Sequence, residues 1–213
     1  MFPMRMRWLI PLIVIALTAA CSSTISLPKL NLSGQTPDER RIAELMKWHS
    51  SRVEVYKGFE TVFTARVLFL SDEVKRLTHE WEAKTKLLNP KEKAELLGKT
   101  AVPLENQIEF LLGFYTSDDS NEKLERGDAE WSIKLQLPNG EMISASCFKV
   151  DPTEENMYMS ILRWDLSWSK LYKLCFPRSR GWVDPEAKGV TLVISGTRGH
   201  GEMYIKTQPP LDY

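Results

Sequence analysis

Apolar positions along the chain change their spacing several times, and each change predicts an element. Ile42, Leu45, Met46 and His49 recur at helical spacing and put one apolar stripe on a helix. That helix opens with Thr36-Pro37-Asp38-Glu39, where Thr caps, Pro takes the first helical position and Glu answers the cap three residues on. Ser50-Ser51 then weaken the pattern. From Phe59 to Leu70 the period becomes two, with Thr61, Phe63, Ala65, Val67 and Phe69 on one face and Val62, Leu68 and Leu70 on the other. This predicts a strand buried for much of its length. Ser71-Asp72-Glu73 opens a second helical stretch carrying Val74, Leu77, Trp81 and Leu88. Asn89-Pro90-Lys91-Glu92 repeats the cap, proline and glutamate order for a short third helix that Gly98 can close.

Beyond residue 100 the period is almost entirely two. Ile108, Phe110, Leu112 and Phe114 alternate, as do Trp131, Ile133, Leu135 and Leu137. Pro138-Asn139-Gly140 predicts a hairpin turn, because Asn and Gly accept positive φ, and residues 141–150 are expected to return as the partner strand. Further strands are predicted over 157–164, 170–176, 190–195 and 202–206. Short strands at this spacing predict a mainly β (α+β) chain. The expected architecture is an antiparallel β-sandwich, immunoglobulin-like in general architecture, with an N-terminal helix and a helical insertion at 71–98 on one edge or end. Residues 36–213 are expected to form one domain.

The N-terminus has a different character. Arg5 and Arg7 precede the apolar run Trp8 to Leu17, then come the small residues Thr18, Ala19 and Ala20, and then Cys21. Charged, apolar and small segments in this order make an export signal over residues 1–20. The apolar run, about ten residues, falls short of the roughly 20 that span a bilayer core. The cysteine directly after Ala19-Ala20 resembles the lipobox of bacterial lipoproteins, although Thr18 stands where that family usually has Leu, with Leu17 one place earlier. The resemblance implies cleavage before Cys21, diacylation of its sulfur and acylation of its new amine. Ser22 and Ser23 after the cysteine imply, by the same similarity, sorting to the periplasmic face of the outer membrane. The other outcome is an ordinary secretory cut after Ala20 that leaves Cys21 a spare thiol. Residues 21–35, polar and uncharged apart from Lys29, are expected to be a linker between the lipid and the domain.

Composition narrows the function. Of 213 residues, 43% are hydrophobic and 26% charged, as in a folded globular chain. With 28 basic and 28 acidic residues, and 26 against 28 once residues 1–20 are removed, the chain has no electrostatic surplus for nucleic acid.

Candidate chemistry is sparse. Asp118-Asp119-Ser120-Asn121 lacks the alternating oxygens and central glycine of an EF-hand, and His79-Glu80-Trp81-Glu82 lacks the second histidine of a zinc-protease helix. Neither a metal site nor a cofactor is expected. Gly196-Thr197-Arg198-Gly199-His200-Gly201 follows a strand but continues into another strand instead of a phosphate-binding helix, so a hairpin loop is expected, with Arg198 and His200 available to an anion. Cys147 and Cys175 are either bridged in an oxidising compartment or buried or half-buried free thiols. Trp164, Leu166 and Trp168 alternate; with Trp182 on a long connection they are candidates for core packing or for an aromatic binding platform. The leading expectation is therefore a lipid-tethered binding or assembly module for another envelope protein, with no catalytic residue assigned. The alternatives are a carbohydrate-binding module and a hydrolase acting on glycan or peptidoglycan.

Overall fold

Proline at the start recurs in the helices. Helix α1 (Pro37–Trp48) is followed, after two strands, by α2 (Asp72–Thr85), α3 (Pro90–Thr100) and α4 (Pro152–Leu162). In α2 the cap is Ser71, whose Oγ accepts from Val74 N at 3.2 Å. At α3 the reciprocal box is complete: Asn89 Oδ1 accepts from Lys91 N and Glu92 N, and Glu92 Oε2 accepts from Asn89 N. These elements belong to a computed structural model that describes residues 37–100, 107–118, 123–124, 129–162, 164, 168–178 and 188–208. The signal segment, the linker with Cys21, and Trp182 lie outside the described residues.

The strands form two antiparallel sheets. Sheet A contains β1 (Ser50–Lys57), β2 (Glu60–Phe69), β3 (Gln107–Thr116), β6 (Ser146–Lys149) and β7 (Lys170–Pro177), in the order β1-β2-β3-β7-β6. Sheet B contains β4 (Ser132–Gln136), β5 (Met142–Ser144), β8 (Gly189–Ser195) and β9 (His200–Lys206), in the order β5-β4-β8-β9. The mainly antiparallel β expectation therefore holds, with helices added. The β1–β2 link is a two-residue turn whose first residue, Gly58, has φ +64°, as a tight hairpin needs. At Pro138-Asn139-Gly140 the expected turn forms, with Gly140 N donating to Leu137 O at 2.9 Å.

One core lies between the sheets, where Phe63, Phe110, Phe114 and Phe176 of sheet A meet Trp131, Leu135, Leu192 and Ile205. A second lies on the other face of sheet A, where Leu68, Leu111 and Leu171 are covered by Leu45 of α1, Val74 and Leu77 of α2 and Tyr158 of α4. Sheet A is thus a middle layer, which is why β3 is buried at nearly every position.

Three expectations are corrected. Residues 157–164 are not a strand: α4 runs through Leu162, and Tyr158 faces the second core. Residues 141–150 are not one strand: the chain leaves sheet B after Ser144 and enters sheet A at Ser146. The helical insertion does not sit on an edge or end; α2 lies on the outer face of sheet A. In addition, the pattern that fades after Ser50 becomes edge strand β1, with Arg52, Glu54, Tyr56 and Lys57 exposed or paired with one another. Charges of this kind discourage edge-to-edge association.

The two ends of the described chain are tied together. His49 Nδ1 donates to Lys206 O at 2.7 Å and Trp48 Nε1 to Gln208 O at 2.6 Å, with Lys206 Nζ 3.8 Å above the Trp48 ring.

Candidate functional site

The strand register gathers several turns at one end of the molecule. Phe63 pairs with Thr116 and Phe114 with Lys170, so the β1–β2 turn, the end of β3 and the start of β7 lie together. Ser195 pairs with Ser132, which brings the β8–β9 turn beside Trp131. A Cβ at Gly196 would lie 2.7 Å from the Trp131 ring, so only glycine lets this turn close over the indole.

Polar contacts lock the end. Arg198 donates to Glu60 Oε1 at 2.7 Å, its other terminal nitrogen lies 3.6 Å from Asp118 Oδ2, and Thr197 Oγ1 donates to Glu130 Oε1 at 2.5 Å. One guanidinium thus joins three segments far apart in sequence, its charge directed at two carboxylates. His200 Nε2 lies 3.0 Å from Glu202 Oε1, and both side chains are exposed. The structure therefore brings Arg198 and His200 to one hairpin, each beside a carboxylate.

From this end project the two most exposed aromatic side chains among the described residues, Phe59 at 110% and Trp168 at 80% of full exposure, with Tyr56 nearby at 57%. Phe59 is the second residue of the β1–β2 turn and Trp168 precedes β7. Trp164 does not join Trp168 in a platform. It is buried in the second core with the Arg66 guanidinium 4.9 Å from its ring centre. Burial first, then the neighbouring Arg52, pushes the Arg66 pKa down. Phe59 escapes a sequence reading that takes it as the first residue of a strand; the signal was Lys57-Gly58-Phe59-Glu60, a Gly-X turn between two alternating runs.

Among the described residues Cys175 carries no disulfide. Cys175 is a buried free thiol, and the register sets it opposite Ser146 while Cys147 stands opposite Leu174. It faces the helices, in one row with Glu109, which forms an ion pair with Lys75 at 2.7 Å. Lys173 two residues earlier bonds Glu154 of α4 at 3.1 Å. Burial first, then Glu109, pushes the Cys175 thiol pKa up. Burial, with Glu154 next, does the same to Tyr158, and burial holds His79 beside this seam down. All three groups are thereby kept neutral near pH 7, and a thiol held protonated is a poor nucleophile. This is a seam of matched charges beneath two helices.

No family model, no curated protein and no solved structure matches the chain.

Proposed function

We propose that the chain is an exported envelope lipoprotein whose folded part is a binding or assembly module, and that its contact surface is the end bearing Phe59 and Trp168. The carrying observation is the exposure of those two side chains on an end braced by Arg198. Large aromatics left in water on a rigid support are the usual anchors of an interface, because burying one against a partner supplies much of the binding energy. The anchor in this reading is acylated Cys21 at the periplasmic face of the outer membrane, supported by the order of charged, apolar and small residues before it. The envelope partner is a protein, and nucleic acid is not expected.

The finer architecture in this proposal is immunoglobulin-like. The order β2-β3-β7-β6 against β5-β4-β8-β9 follows the ABED and C′CFG sheets of such domains, with β1 added at an edge. Trp131, buried at the start of β4, stands at the strand that would carry their core tryptophan. Loops at one end of such sandwiches commonly hold the binding residues.

Crosslinking in intact envelopes, followed by recovery of the chain, tests the module: Phe59→Ala and Trp168→Ala should each reduce capture of a discrete partner without unfolding the domain. Undiminished capture by both would overturn this assignment of the surface. Fatty-acid labelling of the wild type and Cys21→Ser tests the anchor, equal labelling being the contrary result. A carbohydrate ligand is a second reading, favoured by the open ring of Trp168, and glycan binding abolished by Trp168→Ala would select it.

A further inference from the structure

The corner between α2 and α3 holds a residue that folding alone does not explain. Leu87 has φ +53°, the left-handed region. Leu88 N donates to Ala83 O at 2.9 Å and Leu87 N to Lys84 O at 3.3 Å, the paired bonds of a Schellman cap. Glycine normally occupies that position, because any Cβ is crowded there. Leu87 is nevertheless 88% exposed, so burial does not offset the strain. A strained backbone position displaying an unburied apolar side chain points to use outside the fold.

Its surroundings are cationic. Residues 84–93 contain Lys84, Lys86, Lys91 and Lys93 against Glu92 alone, and all five are exposed. Lys86 bonds Glu82 at 2.6 Å, and Glu92 is engaged by the Asn89 backbone N. Lys84, Lys91 and Lys93 enter no ion pair with the described residues. The chain without residues 1–20 has 26 basic and 28 acidic groups, so this positive patch is local.

We propose that the α2–α3 corner docks on an anionic bilayer surface, with Leu87 entering the boundary between headgroups and acyl chains and Lys84, Lys91 and Lys93 lying against lipid phosphates. Charge complementarity selects this occupant. An aliphatic tip flanked by flexible lysines matches the layered polarity of a lipid interface, where the lysine stems follow the apolar part and the ammonium groups reach the headgroups. Nearby basic residues each strengthen attraction to an anionic leaflet. The contact is additional to the acyl anchor of the proposed function and does not depend on it.

Co-sedimentation of the purified full chain with phosphatidylcholine vesicles, with or without about a third phosphatidylglycerol, tests the proposal at low and high salt. The wild type should favour the anionic vesicles by about tenfold or more at low salt and lose the preference at high salt. Lys84→Glu, Lys91→Glu and Lys93→Glu together should cut the preference several-fold. Leu87→Gly, which relieves the backbone and so retains the fold, should weaken anionic-vesicle binding several-fold. Equal preference in the wild type and the charge-reversed variant overturns the proposal, as does wild-type binding to an acidic polypeptide with no vesicle preference. Residues 1–36, with Arg5, Arg7 and Lys29, are common to all variants, so comparing variants on the same vesicles cancels what they contribute. Failure of the acyl anchor would therefore appear as lost binding to phosphatidylcholine alone, whatever the corner does.

Discussion

Lys75 Nζ lies 2.7 Å from Glu109 Oε2 beneath α2, and the two side chains are only 20% and 10% exposed. Glu109 sits between the buried Ile108 and Phe110, and among the described residues Lys75 is its ion-pair partner. Lys75→Met should destabilise the fold by about 3 kcal/mol, because it strands a buried charge. Lys75→Met with Glu109→Leu should recover most of the loss. Urea unfolding of the three proteins checks this, and additive losses would mean the pair is not coupled.

His49 should make stability depend on pH. Burial, its largest influence, holds the imidazole pKa below the ordinary value near 6.5. As pH falls through that value the unfolded chain takes up a proton that the folded chain refuses, so stability is full above the window and declines below it. The slope approaches at most about 1.4 kcal/mol per pH unit. Unfolding free energies measured across about pH 5 to 8 should flatten in His49→Gln even if that variant is less stable throughout.

The thiol of Cys175 should resist alkylation. It is buried, and burial also raises its pKa. Iodoacetamide at neutral pH followed by peptide mass spectrometry should find Cys175 unmodified in the native protein and modified in denaturant. Rapid native labelling would contradict its placement.

Trp131 and Phe59 should separate folding from surface. Trp131 is 4% exposed and packs edge-on to Phe63 and Phe114 with ring centres 5.0 and 5.8 Å apart. Trp131→Ala should cost about 3 to 5 kcal/mol. Phe59→Ser, at a fully exposed position, should change stability by less than about 0.5 kcal/mol. Thermal and urea unfolding give both values.

The elements legible in the sequence were those with local punctuation. Thr36-Pro37 and Asn89-Pro90 announced α1 and α3, and Asn139-Gly140 announced its turn. The same cap, proline and glutamate order stands at Asp151-Pro152-Thr153-Glu154 before α4, but there the alternation of Met157, Met159 and Ile161 competes with it and suggests a strand. The proline and the acidic first turn were the better guide. The change of sheet at Ala145 leaves no trace, because Ile143, Ala145 and Cys147 keep a period of two on both sides of it. Nor could periodicity reveal which tryptophan faces water. Trp164 and Trp168 look alike in an alternating run, and only the fold of the chain after α4 buries one and exposes the other.

The tie between His49 and Lys206 spans 157 positions, and that between Trp48 and Gln208 spans 160. Neither can close on a chain still being made until residues 206–208 have emerged. Sheet B also lacks two of its four strands until the same late stage. The first described helix thus gains these two ties only once β9 is made, and contacts of such long range form slowly. A chain whose last two described strands are not yet made therefore has sheet A but lacks these ties and half of sheet B, so closure of the inter-sheet core comes late in its synthesis.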